Sequence, residues 1–486
     1  MRNKWWIVPL LSVSGLAAGD PRLVEAVKNQ DKTAASALLK QHADVNAAQA
    51  DGATALHWAA HWSDLETADL LIHAGANVNA ATDLGVTPLY LAGENGSAPM
   101  VEKLLAAGAN PNTAATTGVT PLLEAARAGG ADAVKALLAH GANANARENS
   151  RGQTALMWAV GQGHADAART LLDRGADVNA RSRSEGSFVF IANTGNTSND
   201  KKGISKNIET GGSPALLFAA RQGNVESARV LLEAKANVND TDASGSSALV
   251  VAAHSGHGAF AAFLLDKGAN PNAAGAGYTA LHAAVLRGEL DLVKALLSHG
   301  ADPNAEIQSG TPVRRQSADY ILTQSMAGAT PYWLAAKYAS ADMMAILAAG
   351  GANPKLTAKD GTTALMAAAA ADQRQGTVNG VPRAPEKLVV EAAKAALDGG
   401  ADVNAANQAG DTALHTAAAR GNAPLVQLLV DRGAKVDVKN KRGQTPLAMT
   451  RVRARYGDGD GEPPPGLKRT ADLLLKLGAT EPESGK

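Results

Sequence analysis

One short block recurs along this chain at a near-constant interval, and that recurrence limits the fold more than any other feature. It reads TALHWAA at Thr54, TPLYLAG at Thr87, TPLLEAA at Thr120 and TALMWAV at Thr154. It returns as PALLFAA at Pro214, SALVVAA at Ser247, TALHAAV at Thr279 and TPYWLAA at Thr330. TALMAAA at Thr363, TALHTAA at Thr412 and TPLAMTR at Thr445 close the series. Successive blocks are separated by 33, 33, 34, 60, 33, 32, 51, 33, 49 and 33 residues. A length of 486 residues would otherwise suggest about three globular domains. A fixed interval points instead to one supersecondary unit used many times.

The residues of the unit explain its shape. Thr at the head can cap a helix, and Pro in the next position has its φ already set for a first helical turn. A short Ala-rich helix follows, then a Gly or polar turn, then a second helix ending in a Leu pair such as Leu104/Leu105 or Leu137/Leu138. About twenty residues after each head comes GANVNA at Gly75, GANPNT at Gly108, GADVNA at Gly175 or a close variant. Its Gly is the natural left-handed C-cap of the second helix. His42 and Lys235 stand at that cap in two units, where a non-Gly residue costs roughly 1–2 kcal/mol if left-handed. The Asn residues of the VNA signature (Asn46, Asn79, Asn179, Asn404) are expected to bond backbone within their hairpins. Two short helices cannot bury an apolar stripe alone, whereas stacked units can.

With eleven blocks in near-register, the pattern closely resembles the ankyrin repeat, and the resemblance covers the chain from Asp20 onward. It implies an all-α helical repeat, an ankyrin-repeat solenoid of about twelve units with β-hairpin-like fingers and several loop insertions. Capping units are expected at 20–47 and 445–482, with a closing helix over Thr470 to Leu477. The resemblance also implies a non-catalytic scaffold that binds a partner protein on a groove and on finger loops.

The first nineteen residues differ from the rest. Arg2 and Lys4 precede an apolar stretch from Trp5 to Val13, and Gly15, Ala17 and Gly19 follow. Basic, apolar and small in that order is the layout of a secretory signal peptide, with Gly15/Ala17 or Ala17/Gly19 preceding the cut. The stretch is shorter than the ~20 residues a spanning helix needs, so no membrane span is expected. Cleavage would make the chain look like an exported bacterial ankyrin repeat protein, periplasmic or secreted; without it the location would be cytoplasmic.

Three insertions, at about 182–212, 306–326 and 372–385, break the interval, and a fourth, at about 457–466, interrupts the last unit. The first two lengthen a finger between units, and the other two fall between the helices of one unit. Loops lengthen at little cost, so these read first as tolerated surface loops. The alternative function, an enzyme or ligand-binding site, would have to be built from them.

Known site chemistries fit poorly. With no Cys, disulfides, thiolate nucleophiles and Cys-bound zinc are excluded. The 46 basic and 46 acidic side chains cancel, giving no general attraction to nucleic acid. His57 and His61 have metal-ligand spacing but no Glu follows His57; His282 and His415 repeat the first position, where the resemblance implies imidazoles bonding neighbouring turns. Asp458, Asp460 and Glu462 depart from a calcium loop in Gly placement, prolines and the missing last acid. Phosphate, dinucleotide and nucleophile-elbow motifs are absent. No cofactor or metal is expected.

The resemblance places partners at the finger tips and at the exposed end of each first helix. Counting seven and eight residues from the block heads reaches His61, Trp62, Glu94, Arg127, Gln162, Arg221, Gln222, His254, Arg287, Lys337, Tyr338 and Arg420. Basic residues outnumber acids there, which suits a monomer meeting a protein with an extended acidic surface. Trp62 and Tyr338 are the aromatic anchors, a residue type that dominates binding hot spots.

Overall fold

A computed structural model describes residues 21–191, 204–311, 322–371, 377–378, 381–382, 384–452 and 464–481. The expected signal peptide, including Asp20, lies outside them. Contacts divide the chain into two compact bodies, one formed by residues 21–183 with Glu226–Ala236 and the other by Ser184–Val225 with 237–481. Among the described residues stand twelve helix pairs, from Arg22–Lys28 and Lys32–Lys40 to Pro446–Val452 and Pro465–Lys476. None of these helices is long and apolar enough to cross a membrane.

Each pair follows from local chemistry. Thr87 Oγ1 accepts from Tyr90 N at 3.2 Å, and Thr120, Thr154, Ser247, Thr330 and Thr363 repeat the cap. These caps satisfy N–H groups that a helix start leaves orphaned. At the other end Gly75, Gly108, Gly141, Gly175, Gly268 and Gly300 hold φ of 84–91°. His42 and Lys235, in the same place, are left-handed too, at 61° and 72°. Gln30, Ser63 and Ala339, in the turn between the two helices, are also left-handed, at 58°, 52° and 54°; the sequence reading had not singled them out.

Packing is thin. In the unit of Thr54, Ala55, Leu56, Ala59 and Ala60 are fully buried with Ala68 and Leu71 of the second helix. Within the first body, Ala55–His61 packs on Pro88–Glu94, which packs on Pro121–Ala128. In the second, Ala215–Gln222, Ala248–Ser255 and Ala280–Arg287 succeed one another likewise. Methyl-sized side chains let helices approach closely, and each unit buries its neighbour.

Of the signature residues, Asn46, Asn79 and Asn404 do bond backbone, but across units rather than within their own hairpin. Asn79 Nδ2 donates to Gly108 O at 3.1 Å while its Oδ1 accepts from Asn110 N at 2.8 Å. Asn46 reaches Gly75 and Asn77, and Asn404 reaches Gly433 and Lys435 in the same way. The local bond belongs to the preceding residue: Asn77 Oδ1 accepts from Asn79 N at 3.0 Å.

Most fingers are tight turns rather than strands. Thr82 N bonds Val86 O at 2.9 Å, and neighbouring turns are joined by Asp83 N to Asp51 O, also 2.9 Å. The first insertion is the exception: strands β1 (Ser184–Ile191) and β2 (Ile204–Gly211) pair antiparallel, Phe188 opposite Asn207. The second is tied at its neck by Thr311 N to Leu322 O at 2.8 Å, with Ile307 and Leu322 fully buried. After the third, the second helix Glu386–Asp398 extends to 13 residues. The closing helix begins at Pro465, earlier than the expected Thr470; Pro465 suits a first turn. Asp458, Asp460 and Glu462 lie outside the described residues.

Candidate partner-binding surface

The expected contact residues do stand at the ends of first helices, each within the body that holds it. In the first body, His61 and Glu94 are last helical residues, and Arg127 is one before the last. Trp62 and Gln162 are C-caps, and all five side chains are exposed. In the second body Arg221 and Gln222 are exposed, while His254, Arg287, Lys337, Tyr338 and Arg420 are half-buried.

These positions are bonded to the fold more than the sequence implied. Asn95 Nδ2 donates to His61 O at 2.6 Å, and His164 Nε2 lies 3.1 Å from Arg127 O. Arg287 Nη1 donates to His254 O at 3.0 Å. The carbonyls that end one helix are thus met by a side chain of the next unit.

Arg127, Arg221 and Arg287 are ion-paired within the protein. Arg127 lies 2.6 Å from Glu124 and 3.5 Å from Glu94. Glu124 is buried and also accepts from the Tyr90 hydroxyl at 2.7 Å. Burial first, then that bond, hold the Tyr90 phenol well above its ordinary value. Arg221 is 3.9 Å from Asp242, and Arg287 is 3.9 Å from Glu289. Burial raises the Glu289 carboxyl, with Arg287 and His257 acting the other way. Charge counting at two positions per unit included Glu94 but missed Glu124, Asp242 and Glu289. One period back from Arg127, at Glu94, was a usable signal.

The two aromatic anchors are unequal. Trp62 is 43% exposed, its Nε1 donating to Lys28 O at 3.2 Å. Tyr338 is half-buried and its hydroxyl oxygen is enclosed. Lys337 lies over the Trp333 ring at 5.7 Å from its centroid.

His57 and His61 do not form a metal pair. Thr54 N–H donates to His57 Nδ1 at 3.1 Å, so the ring proton is on Nε2, which donates to Val86 O at 3.0 Å. His282 and His415 do the same toward Ala329 and Gln444. Each imidazole therefore closes a capping box and bridges to the next turn. Burial holds all three below the ordinary histidine value, His282 at about 4.

Comparison with known proteins agrees with this geometry. The family description "Ankyrin repeats (3 copies)" matches residues 23–115, 89–182, 196–275 and 216–307, and "Ankyrin repeats (many copies)" matches 396–449. The chain belongs to the ankyrin repeat family. Its fold is an ankyrin-repeat solenoid, built for protein–protein interaction in a family that is generally non-catalytic. The human "Ankyrin repeat and SOCS box protein 16" is 32% identical over 196 residues, covering 36% of this chain and 41% of the relative. The mouse "B-cell lymphoma 3 protein homolog" is 30% identical over 194 residues, covering 36% and 40%. The Drosophila melanogaster "Ankyrin repeat and KH domain-containing protein mask" is 38% identical over 108 residues, 22% of this chain and 2% of the relative. The chain thus spans less than half the length of these relatives.

Proposed function

We propose that the chain is a non-catalytic scaffold that binds another protein across its first-helix ends and finger turns. One internal observation carries the reading. Over a repeated frame of Thr caps, Asn bridges and Ala/Leu core, the side chains at the open helix end change from unit to unit: Trp62, Asn95, Ala128 and Gln162 in one body. A constant frame with a varied rim suits recognition, because hot-spot side chains need a rigid support. Acidic groups of the partner would exchange with Glu94, Asp242 and Glu289 at the arginines rather than meet a bare cationic strip. Export is proposed for the segment ahead of Asp20; an intact Met1 or Arg2 terminus on protein from the native host would rule it out.

The test is capture of a partner by the full chain, followed by variants. Gln is the right replacement at Arg127, Arg221 and Arg287, since Glu would face the native carboxylates. The triple Gln variant should flatten the salt dependence of association, and Trp62→Ala should speed dissociation. If neither matters while trimming 182–212 abolishes binding, the long finger is the site and the helix-end reading fails.

A further inference from the structure

Leu84 is 67% exposed, an unusual solvent position for a large apolar side chain on a finger turn. It precedes the turn glycine, and at that place other units carry polar residues such as Asp51, Thr117, Arg151 and Arg442, or alanine, as at Ala276 and Ala409. Leu84 has no core to fill there. It forms one wall of a cleft of ≈ 340 Å³ shared with Trp58, His61 and Leu91. Trp58 stacks on Trp62 at 6.5 Å between centroids, and His61 stands edge-on to both, at 5.7 and 4.6 Å. The apolar floor therefore continues out to the exposed Trp62.

The rim carries the opposite chemistry. Asp51 and Asp83 line the same cleft from two successive finger turns, which the Asp83 N to Asp51 O bond holds side by side. Both are exposed, and among the described residues no ion pair joins either carboxylate. Asp51 Oδ1 accepts a backbone bond from Ala53 N at 3.0 Å. The contrast with Arg127, held between two carboxylates, is sharp: here two like charges face outward uncompensated. The Trp58 face already has one cation of its own chain beside it, Lys28 Nζ at 5.2 Å from the ring centroid.

We infer that this cleft receives an apolar side chain of the partner protein flanked by lysine or arginine. The inference rests on the scaffold reading and names what one part of that scaffold recognises. Covering Leu84 and the Trp58 face removes apolar area from water, the main favourable term in association. A flanking cation supplies the countercharge that Asp51 and Asp83 lack, while an acidic flank is repelled.

The full-length protein is titrated calorimetrically with three synthetic peptides: acetyl-Gly-Lys-Leu-Arg-Gly-amide, its Glu-Leu-Glu counterpart, and its Lys-Ser-Arg counterpart. The first should bind, and the other two should bind at least roughly tenfold more weakly. Leu84→Ser should weaken the first peptide about tenfold while leaving the melting curve unchanged, since that side chain packs into no core. The double variant Asp51→Asn, Asp83→Asn should weaken it roughly five- to tenfold and flatten its salt dependence. Equal binding of the acidic peptide, no binding of the basic peptide at concentrations up to about 2 mM, or indifference to both variants overturns the inference. A captured partner whose affinity survives Leu84→Ser also overturns it, and leaves the scaffold reading standing. Failure to capture any partner with the full chain strikes the scaffold reading itself.

Discussion

Lys235 closes a helix at φ 72° where most units place Gly, and nothing but backbone conformation favours Gly there. A Cβ at Gly75, Gly108, Gly141 or Gly175 would meet no atom within 4 Å. Lys235→Gly should therefore remove left-handed strain without opening a cavity, stabilising by about 1 kcal/mol. A thermal melt checks it, and an unchanged or lower midpoint would refute the strain. His282 makes a pH prediction. Its folded value of about 4 lies below the ordinary ~6.5, so the unfolded chain binds the extra proton first. Its contribution is complete above that ordinary value and declines as pH falls toward the folded one. Between pH 7.5 and 5 the loss is on the order of 2 kcal/mol, and His57 and His415 act in the same direction. His282→Leu, matching Leu123 and Leu217 of other units, should be less stable at pH 7.5 but should lose less on acidification. Urea unfolding at the two pH values decides it; equal losses in parent and variant would sink the assignment.

At the scale of the helix, Gly93 runs against propensity. Other units hold Ala at its place, as at Ala60 and Ala126, and Gly to Ala in a helix ordinarily stabilises by about 1 kcal/mol. Here a Cβ would lie 2.5 Å from Pro121 O of the neighbouring helix. Gly93→Ala should destabilise by roughly 1–3 kcal/mol, read as a lower chemical-denaturation midpoint; a higher one would mean the neighbouring helix can yield. The same helices show what sequence can and cannot disclose. The caps at Thr87 and Thr120 were legible because the capping oxygen and the N–H that donates to it are three residues apart. The left-handed Ser63 was not, because a polar turn residue is compatible with several backbone conformations. Leu84 and Trp58 are 26 residues apart, and only stacking brings them to one cleft.

In a solenoid each unit depends on its neighbours rather than on the whole. Residues 20–146 should then fold alone, since they contain four helix pairs from Arg22–Lys28 to Ala131–Ala139. Their Asn bridges close inside the fragment: Asn46 to Gly75, Asn79 to Gly108 and Asn112 to Gly141. A helical circular dichroism spectrum with a cooperative melt is expected. A disordered spectrum would show that the stack needs the units beyond Ala146.

The repeat interval, the helix pairs, their Thr and Gly ends and the places of the insertions were determined by the sequence alone, because each depends on residues a few positions apart. The tertiary structure decided which backbone each Asn bonds, which carboxylates neutralise Arg127, Arg221 and Arg287, and that Leu84 and two exposed aspartates share a cleft with Trp58. Glu124 and Glu289 lie within three residues of their arginines, whereas the Asn bridges and the Arg127–Glu94 pair join residues about one repeat apart. Their geometry is set by how closely the Ala-faced helices stack, and no local propensity encodes that distance.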